Sequence, residues 1–145
     1  MGLKEAVDRF YYDMTLSELR RMNGSRILPG VSHNSLLYLD LIDMTPECTA
    51  SALASALHVS KSAVAMKVGE LIRRGLVVRE RSDADKRVFY LKLNPAAAAE
   101  YRSYDKPLAR AIAAVEKKYA PGEIEGFCAI LGDFCAAYAS GETHG

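Results

Sequence analysis

Hydrophobic residues recur three and four positions apart through most of the chain, a spacing that places them on one face of an amphipathic helix. The first such stretch covers residues 3–23, and a second begins after Ser32, a residue type that caps helix N-termini. Thr49 and Ser60 are equivalent caps for a short third helix and for a fourth helix over about residues 61–74. The pattern therefore predicts two consecutive helices that are separated only by a tight turn.

The period of the pattern changes after the fourth helix. Gly75 follows basic residues in a position that favours positive φ, which is typical of a helix end. Residues 76–81 and 88–93 are rich in β-branched and aromatic side chains, and the polar stretch 82–87 between them favours a turn. We predict one two-stranded antiparallel hairpin and no other β structure.

Prolines divide the remainder of the chain. Asn94-Pro95 is typical of a helix start, because proline at the first helical position lacks an N–H that would be unpaired anyway. Pro107 lies within the helix that follows and should kink or split it, and Pro121 precedes a last apolar helix. The fold class predicted from these patterns is mainly α with a two-stranded β-hairpin.

Length and composition narrow the class of protein. The chain has 145 residues, of which 50% are hydrophobic and 26% charged, as expected for one globular domain. It contains no run of about 18 apolar residues, and its amino terminus lacks the layout of a signal peptide. We expect a cytoplasmic protein that does not enter a membrane.

The charge is concentrated in one region. The net charge is +1, but residues 60–93 contain nine basic and four acidic side chains, so this region carries +5 and the remainder −4. A local basic region in a mildly acidic protein is what binding to a polyanion requires. A solvated surface is the alternative, and charge alone does not decide between them.

The order of the predicted elements favours polyanion binding over a merely solvated surface. Two helices joined by a tight turn and followed by a hairpin are the arrangement of a winged helix-turn-helix, whose recognition helix enters the DNA major groove. The hairpin, or wing, reaches the neighbouring backbone or minor groove. Ser60, Lys61 and Ser62 would begin the recognition helix, and Arg87 in the wing is long enough to enter a minor groove.

The stretch Leu53–Leu93 resembles the DNA-binding core of MarR-type regulators. The resemblance rests on residues 57–64, on Arg74-Gly75-Leu76-Val77, and on the wing motif of Asp85 and Arg87. It implies a single MarR-like domain over residues 1–145, with a DNA-binding region at 32–93 and helical dimerisation regions at 1–31 and 94–145. It further implies a homodimer that binds a pseudopalindromic operator as a transcriptional regulator, usually a repressor relieved by a small-molecule effector or by oxidation.

The motif supplies a set of candidate site residues. We predict contacts to double-stranded DNA from cap, recognition-helix and wing residues: Thr49, Ser60, Lys61, Ser62, Ala65, Lys67, Arg81, Asp85, Lys86 and Arg87. Asp85 is expected to orient Arg87 or Arg79. Ala63, Ala65 and Met66 stand where many relatives have hydroxyl or arginine side chains, so base recognition should depend more on methyl contacts and DNA shape.

Other chemistry is weakly supported. Tyr11, Tyr12 and Tyr38 are candidates for an effector pocket, with an aromatic core as the alternative. Cys128 and Cys135 lie seven apart on the last helix and are expected to be buried, with a thiol-based redox-responsive regulator as the alternative; Cys48 is expected to be inert.

Further classes of function have little or no support in the residues. The three cysteines form no C-x-x-C pair, and His33, His58 and His144 have no metal-ligand spacing, so we expect no metal and no cofactor. No nucleophile with a base and no paired carboxylates are apparent, so the chain is predicted not to be an enzyme. A winged-helix protein-interaction module that does not bind DNA stays the alternative from another class.

Overall fold

The computed structural model describes residues 1–24, 28–103 and 105–142. Within these ranges it contains seven helices and one hairpin, which confirms the predicted fold class. The elements are α1 (Leu3–Gly24), α2 (His33–Met44), α3 (Ala50–Leu57), α4 (Lys61–Arg73), β1 (Val77–Arg81), β2 (Phe89–Leu93), α5 (Pro95–Ser103), α6 (Lys106–Lys118) and α7 (Pro121–Glu142). The chain divides between residues 104 and 105 into two compact units, which we describe separately.

The first unit is built on a core of aliphatic side chains from α2, α3, α4, the hairpin and α5. In α4 the buried residues are Val64, Val68 and Leu71, whose spacing of four and three places them on one face. Leu36 and Leu39 of α2 contact the same core and are at most 2% exposed. Because this face of α4 is buried, its opposite face lies on the surface of the unit.

Each predicted cap forms as expected. The hydroxyl oxygens of Ser32, Thr49 and Ser60 each accept a hydrogen bond from the backbone N–H three residues later, at 3.1 Å. Between α3 and α4, His58 adopts a left-handed backbone with φ of 54°. This conformation is uncommon but accessible to histidine, and it allows the turn between the two helices to be tight.

The end of α4 leads directly into the hairpin. Gly75 has φ of 71°, and Leu76 donates its N–H to the carbonyl of Leu71 at 2.9 Å, as in a Schellman motif. The strands β1 and β2 then pair antiparallel with Val77 opposite Leu93 and Arg81 opposite Phe89. Within the described residues these are the only two strands, as predicted.

Pro107 splits the long helix expected after Pro95. Helix α5 ends at Ser103, and α6 begins at Lys106 with the proline in its first turn. A proline is tolerated there because the first N–H groups of a helix have no intrahelical partner, whereas inside a helix it removes a hydrogen bond. Of the two outcomes that we predicted, a kink and a split, the structure shows the split.

The second unit consists of α6 and α7 and leaves large apolar side chains exposed. Along α7 the exposed fraction is between 39% and 66% for five such residues: Phe127, Ile130, Leu131, Phe134 and Tyr138. Helix α1 of the first unit also has no buried residue. Within the described residues, no helix is both long and apolar enough to cross a membrane.

Candidate nucleic-acid interface

The first turns of α4 present an exposed face. Ser60, Lys61, Ser62 and Ala65 are all exposed, and Met66 is 76% exposed. Ser60 caps the helix, and its Oγ lies 3.1 Å from the Oγ of Ser62. The predicted recognition-helix residues at this end of α4 therefore lie together and are accessible, with a cation and two hydroxyl groups beside the positive end of the helix dipole.

The wing holds Arg87 in a defined position while leaving it accessible. The Nε and Nη2 groups of Arg87 donate to the two carboxylate oxygens of Asp85, each at 3.1 Å, and the backbone N–H of Arg87 donates to Oδ1 at 3.0 Å. The side chain of Arg87 is nonetheless 90% exposed. Asp85 thus orients Arg87, as predicted, through a bidentate pair that restricts the guanidinium orientation.

This pair affects the ionisation of both partners in the direction that favours the charged forms. The Arg87 side-chain hydrogen bonds, followed by its backbone N–H, hold the pKa of Asp85 below its usual value. The Asp85 carboxylate in turn raises the pKa of Arg87. Both groups are therefore charged throughout the neutral pH range.

Hydrogen bonds also order the tip of the wing. Ser82 is 5% exposed, its N–H donates to the carbonyl of Val88 at 2.9 Å, and its Oγ accepts from the N–H of Asp85 at 3.3 Å. The guanidinium of Arg81 lies 5.2 Å from the centre of the Phe89 ring, within cation–π distance. Lys86 is exposed at the tip.

A cleft of about 410 Å³ joins the start of α3 to the hairpin. Thr49 and Arg87, two predicted site residues, both contribute to its wall, as do Ser51 and Arg79. The list of predicted contacts omitted Ser51 and Arg79. The alternation of strand residues points to Arg79, because it lies two positions from Arg81 and so on the same face of β1.

Lys67, a predicted DNA contact, is only partly accessible. Its side chain is 21% exposed. Its Nζ donates to the Oγ of Ser35 in α2 at 3.0 Å and to Oε2 of Glu70 at 3.4 Å. Helical spacing alone suggested an outward position, whereas the long side chain turns towards a buried hydroxyl.

The effector residues proposed from sequence are not brought together in an aromatic core. Tyr11 and Tyr12 are 72% and 61% exposed, so the core alternative is wrong for both in the single chain. Tyr38 alone of the three is half-buried against the core of the first unit. A different cleft, of about 500 Å³, lies at the end of α2 beside β2 and α5, with Asp43, Lys92 and Arg102 among its lining residues.

The cysteines divide into two environments. Cys48 is 1% exposed, and burial raises the pKa of its thiol, in agreement with an inert residue. Cys128 and Cys135 are exposed, so the expectation that they are buried is wrong for the single chain. Among the described residues no three histidine, cysteine or acidic side chains are grouped as a metal site would require, and His144 lies outside those residues.

The arrangement of α3, α4 and the hairpin defines a winged helix-turn-helix protein. Residues 30–88 match the family model described as the MarR family. A transcriptional regulatory protein assigned to the hcr operon of Thauera aromatica is 35% identical over 66 residues, which cover 46% of this chain and 40% of that protein. The chain therefore aligns with less than half the length of this relative.

Solved structures share the fold over nearly the whole chain. FabT of Streptococcus pneumoniae, solved in complex with DNA, has a TM-score of 0.69 and 21% identity over 95% of this chain and 96% of that chain. A MepR mutant from a multidrug-resistant S. aureus clinical isolate has a TM-score of 0.63 and 14% identity over 95% and 98% of the two chains. The sequence match to the MarR family is thus confined to residues 30–88, and the Thauera aromatica relative is described as a transcriptional regulatory protein.

Proposed function

We propose that this protein is a homodimeric transcriptional regulator that binds a specific double-stranded DNA sequence in the cytoplasm. One observation carries the proposal: the exposed first turns of α4 and an accessible, oriented arginine in the wing occur in one winged helix-turn-helix. A winged helix-turn-helix binds a DNA duplex with its recognition helix in the major groove and with a second, cationic element, the wing. The DNA complex of FabT, which shares the fold, supports the same use here.

Within residues 32–93, the contacts divide by their chemistry. The capped start of α4 and the Lys61 ammonium suit backbone phosphates, and Ser62 can hydrogen-bond to a base edge. Ala65 and Met66 offer methyl groups to thymine, and Met66 is 76% exposed. We assign Arg87 to the minor groove and Lys86, Arg81 and Arg79 to phosphates next to it.

Exposed apolar side chains that nothing in the single chain covers support dimerisation through residues 1–31 and 94–145. Helix α7 exposes several large apolar side chains, and Phe10, Tyr11 and Tyr12 of α1 are each more than 60% exposed. So many exposed large apolar side chains on each of the two units are unusual for a monomer and are typical of surfaces that obligate interfaces cover. A second copy of the chain would cover it and would place two recognition helices on the half-sites of a pseudopalindrome.

Repression relieved by an effector is the finer part of the proposal. The cleft beside α2, β2 and α5 is a better candidate for a small-molecule site than the exposed tyrosines, because buried aliphatic residues form its base. Asp43 and Arg102 pair at 3.1 Å at its rim, and a charged ligand group would compete with that pair. Release of DNA by a compound that fails to act on an Arg102→Ala variant would support this site.

Fluorescence anisotropy tests DNA binding directly. The probe is the duplex that the protein enriches from a randomised pool, with a scrambled duplex of equal length as the control. We expect tighter binding to the enriched duplex and a linear loss of log affinity with log salt. Failure to enrich any duplex would favour the alternative of a protein-interaction module.

Sedimentation of the free protein tests the dimer. We expect about twice the chain mass at micromolar concentration, and a charge introduced by Ile130→Glu on the apolar face of α7 should dissociate it. The control is Asn34→Glu, which introduces the same charge at an exposed position of α2 outside residues 1–31 and 94–145. A stable, folded wild-type monomer would contradict this part of the proposal.

A further inference from the structure

Two basic residues, Lys67 within α4 and Arg74 at its C-cap, donate hydrogen bonds to other parts of the protein, although Lys67 is partly exposed and Arg74 is exposed. Lys67 and Arg74 are seven positions apart, which places them on the same side of the helix two turns apart. Lys67 donates to Ser35 Oγ at 3.0 Å. Arg74 donates through Nη2 to the carbonyl of Pro29 at 2.8 Å and through Nη1 to the carbonyl of Gly30 at 3.3 Å.

Apart from Glu70 of α4, which also accepts from Lys67 at 3.4 Å, the acceptors lie in one short segment, residues 29–35, which comprises the turn before α2 and the first residues of α2. Pro29 and Gly30 form the centre of a β-turn, because Val31 donates its N–H to the carbonyl of Leu28 at 3.2 Å and Gly30 has φ of 71°. These features are typical of a type II turn. Leu28 and Val31 on either side are 4% and 6% exposed, so the core holds the turn in place.

Ser35 is an equally constrained acceptor. It is 1% exposed, and its Oγ also receives a hydrogen bond from the Oγ of Ser32 at 3.0 Å. The bond from Lys67 is charge-assisted, and bonds of this kind are shorter and stronger than neutral ones. The middle of the recognition helix and its C-cap are thus tied through cations to a segment that is itself fixed in the core.

We propose that Lys67 and Arg74 are positioning residues that set the orientation of the recognition helix and thereby the DNA sequence selectivity. This inference rests on the proposed function. Phosphate contacts contribute affinity without sequence information, whereas base contacts depend on side-chain placement to a fraction of an ångström. The two cations act on selectivity through helix orientation, although both belong to the basic region 60–93 and Lys67 is a predicted DNA contact.

The salt dependence of binding separates a positioning cation from a contacting one. The variants are Lys67→Met and Arg74→Met, compared with Lys61→Met, which also removes one charge but from an exposed position of α4. Affinity is measured for the enriched and scrambled duplexes across a salt series. For Lys61→Met we expect the slope of log affinity against log salt to fall by about 0.9 per protomer.

For Lys67→Met and Arg74→Met we expect the slope to stay within about 0.3 of the wild-type value. The ratio of affinities for the enriched and scrambled duplexes should instead fall at least about fivefold, because misoriented base contacts lose sequence discrimination. A conservative Lys67→Arg substitution, which retains a cationic donor, should restore most of the ratio. A slope reduced as in Lys61→Met, with an unchanged ratio, would overturn the inference.

A second measurement needs no DNA and also shows whether each variant folds. Hydrogen exchange of the free protein should be faster over residues 28–36 in Lys67→Met and Arg74→Met, with protection retained in β1 and β2. Unchanged exchange over residues 28–36 would show that the cations do not hold the segment and would overturn the inference. Absence of wild-type DNA binding would instead contradict the proposed function, so the two failures are distinguishable.

Discussion

Replacement of Arg87 by alanine tests the wing as a DNA contact. The guanidinium is 90% exposed and is restrained by two hydrogen bonds to Asp85, so it can neutralise DNA charge at little cost in side-chain entropy. Each neutralised phosphate contributes about 0.9 to the slope of log affinity against log salt. A homodimer uses two wings, so the slope should fall by about 1.8 for the dimer and by about 0.9 for a monomer.

The same slope changes predict how the affinity lost by Arg87→Ala depends on salt concentration. Between 50 and 200 mM salt, the affinity lost by Arg87→Ala relative to wild type should shrink about 12-fold for a dimer and about 3.5-fold for a monomer. Anisotropy titrations at four salt concentrations measure this, and Lys117→Ala in α6 is the control expected to match wild type. An Arg87→Ala slope equal to the wild-type slope would refute the assignment of the wing to DNA.

Three further predictions concern stability and pH. Leu71→Ala should lower the free energy of unfolding by about 2–5 kcal/mol, because it opens a cavity in the core. Denaturant titration measures this change, and a loss below about 1 kcal/mol would contradict tight packing around Leu71. Gly69→Ala should raise stability by up to about 1 kcal/mol by the same assay, since an added Cβ meets only the mobile guanidinium of Arg73, at 3.3 Å. The pKa of Asp85 is lowered, so its pairing with Arg87 is complete above the usual carboxyl range and is lost as pH falls through the lowered pKa. NMR signals of the Arg87 side chain should therefore be constant from pH 6 to 8, and a change there would contradict the pairing.

The helix-turn-helix and the wing could be predicted from sequence because their signals are local. A hydroxyl cap depends only on its own residue and the N–H three positions on, and Ser32, Thr49 and Ser60 all act as predicted. Gly75 marks the end of α4 because few other residues adopt positive φ readily. The pairing of Asp85 with Arg87 spans two residues and could be predicted for the same reason.

The sequence by itself determined most helix and strand boundaries, because capping, periodicity and turn chemistry act within a few residues, but it left open whether Pro107 kinks or splits its helix. Only the tertiary structure decided what each long or exposed side chain contacts. Lys67 reaches Ser35, which is 32 residues away along the chain, and Arg74 reaches carbonyls 44 and 45 residues away. Cys128 and Tyr11 are exposed because burial depends on which surfaces meet, a property of the packed elements that periodicity along one helix does not specify.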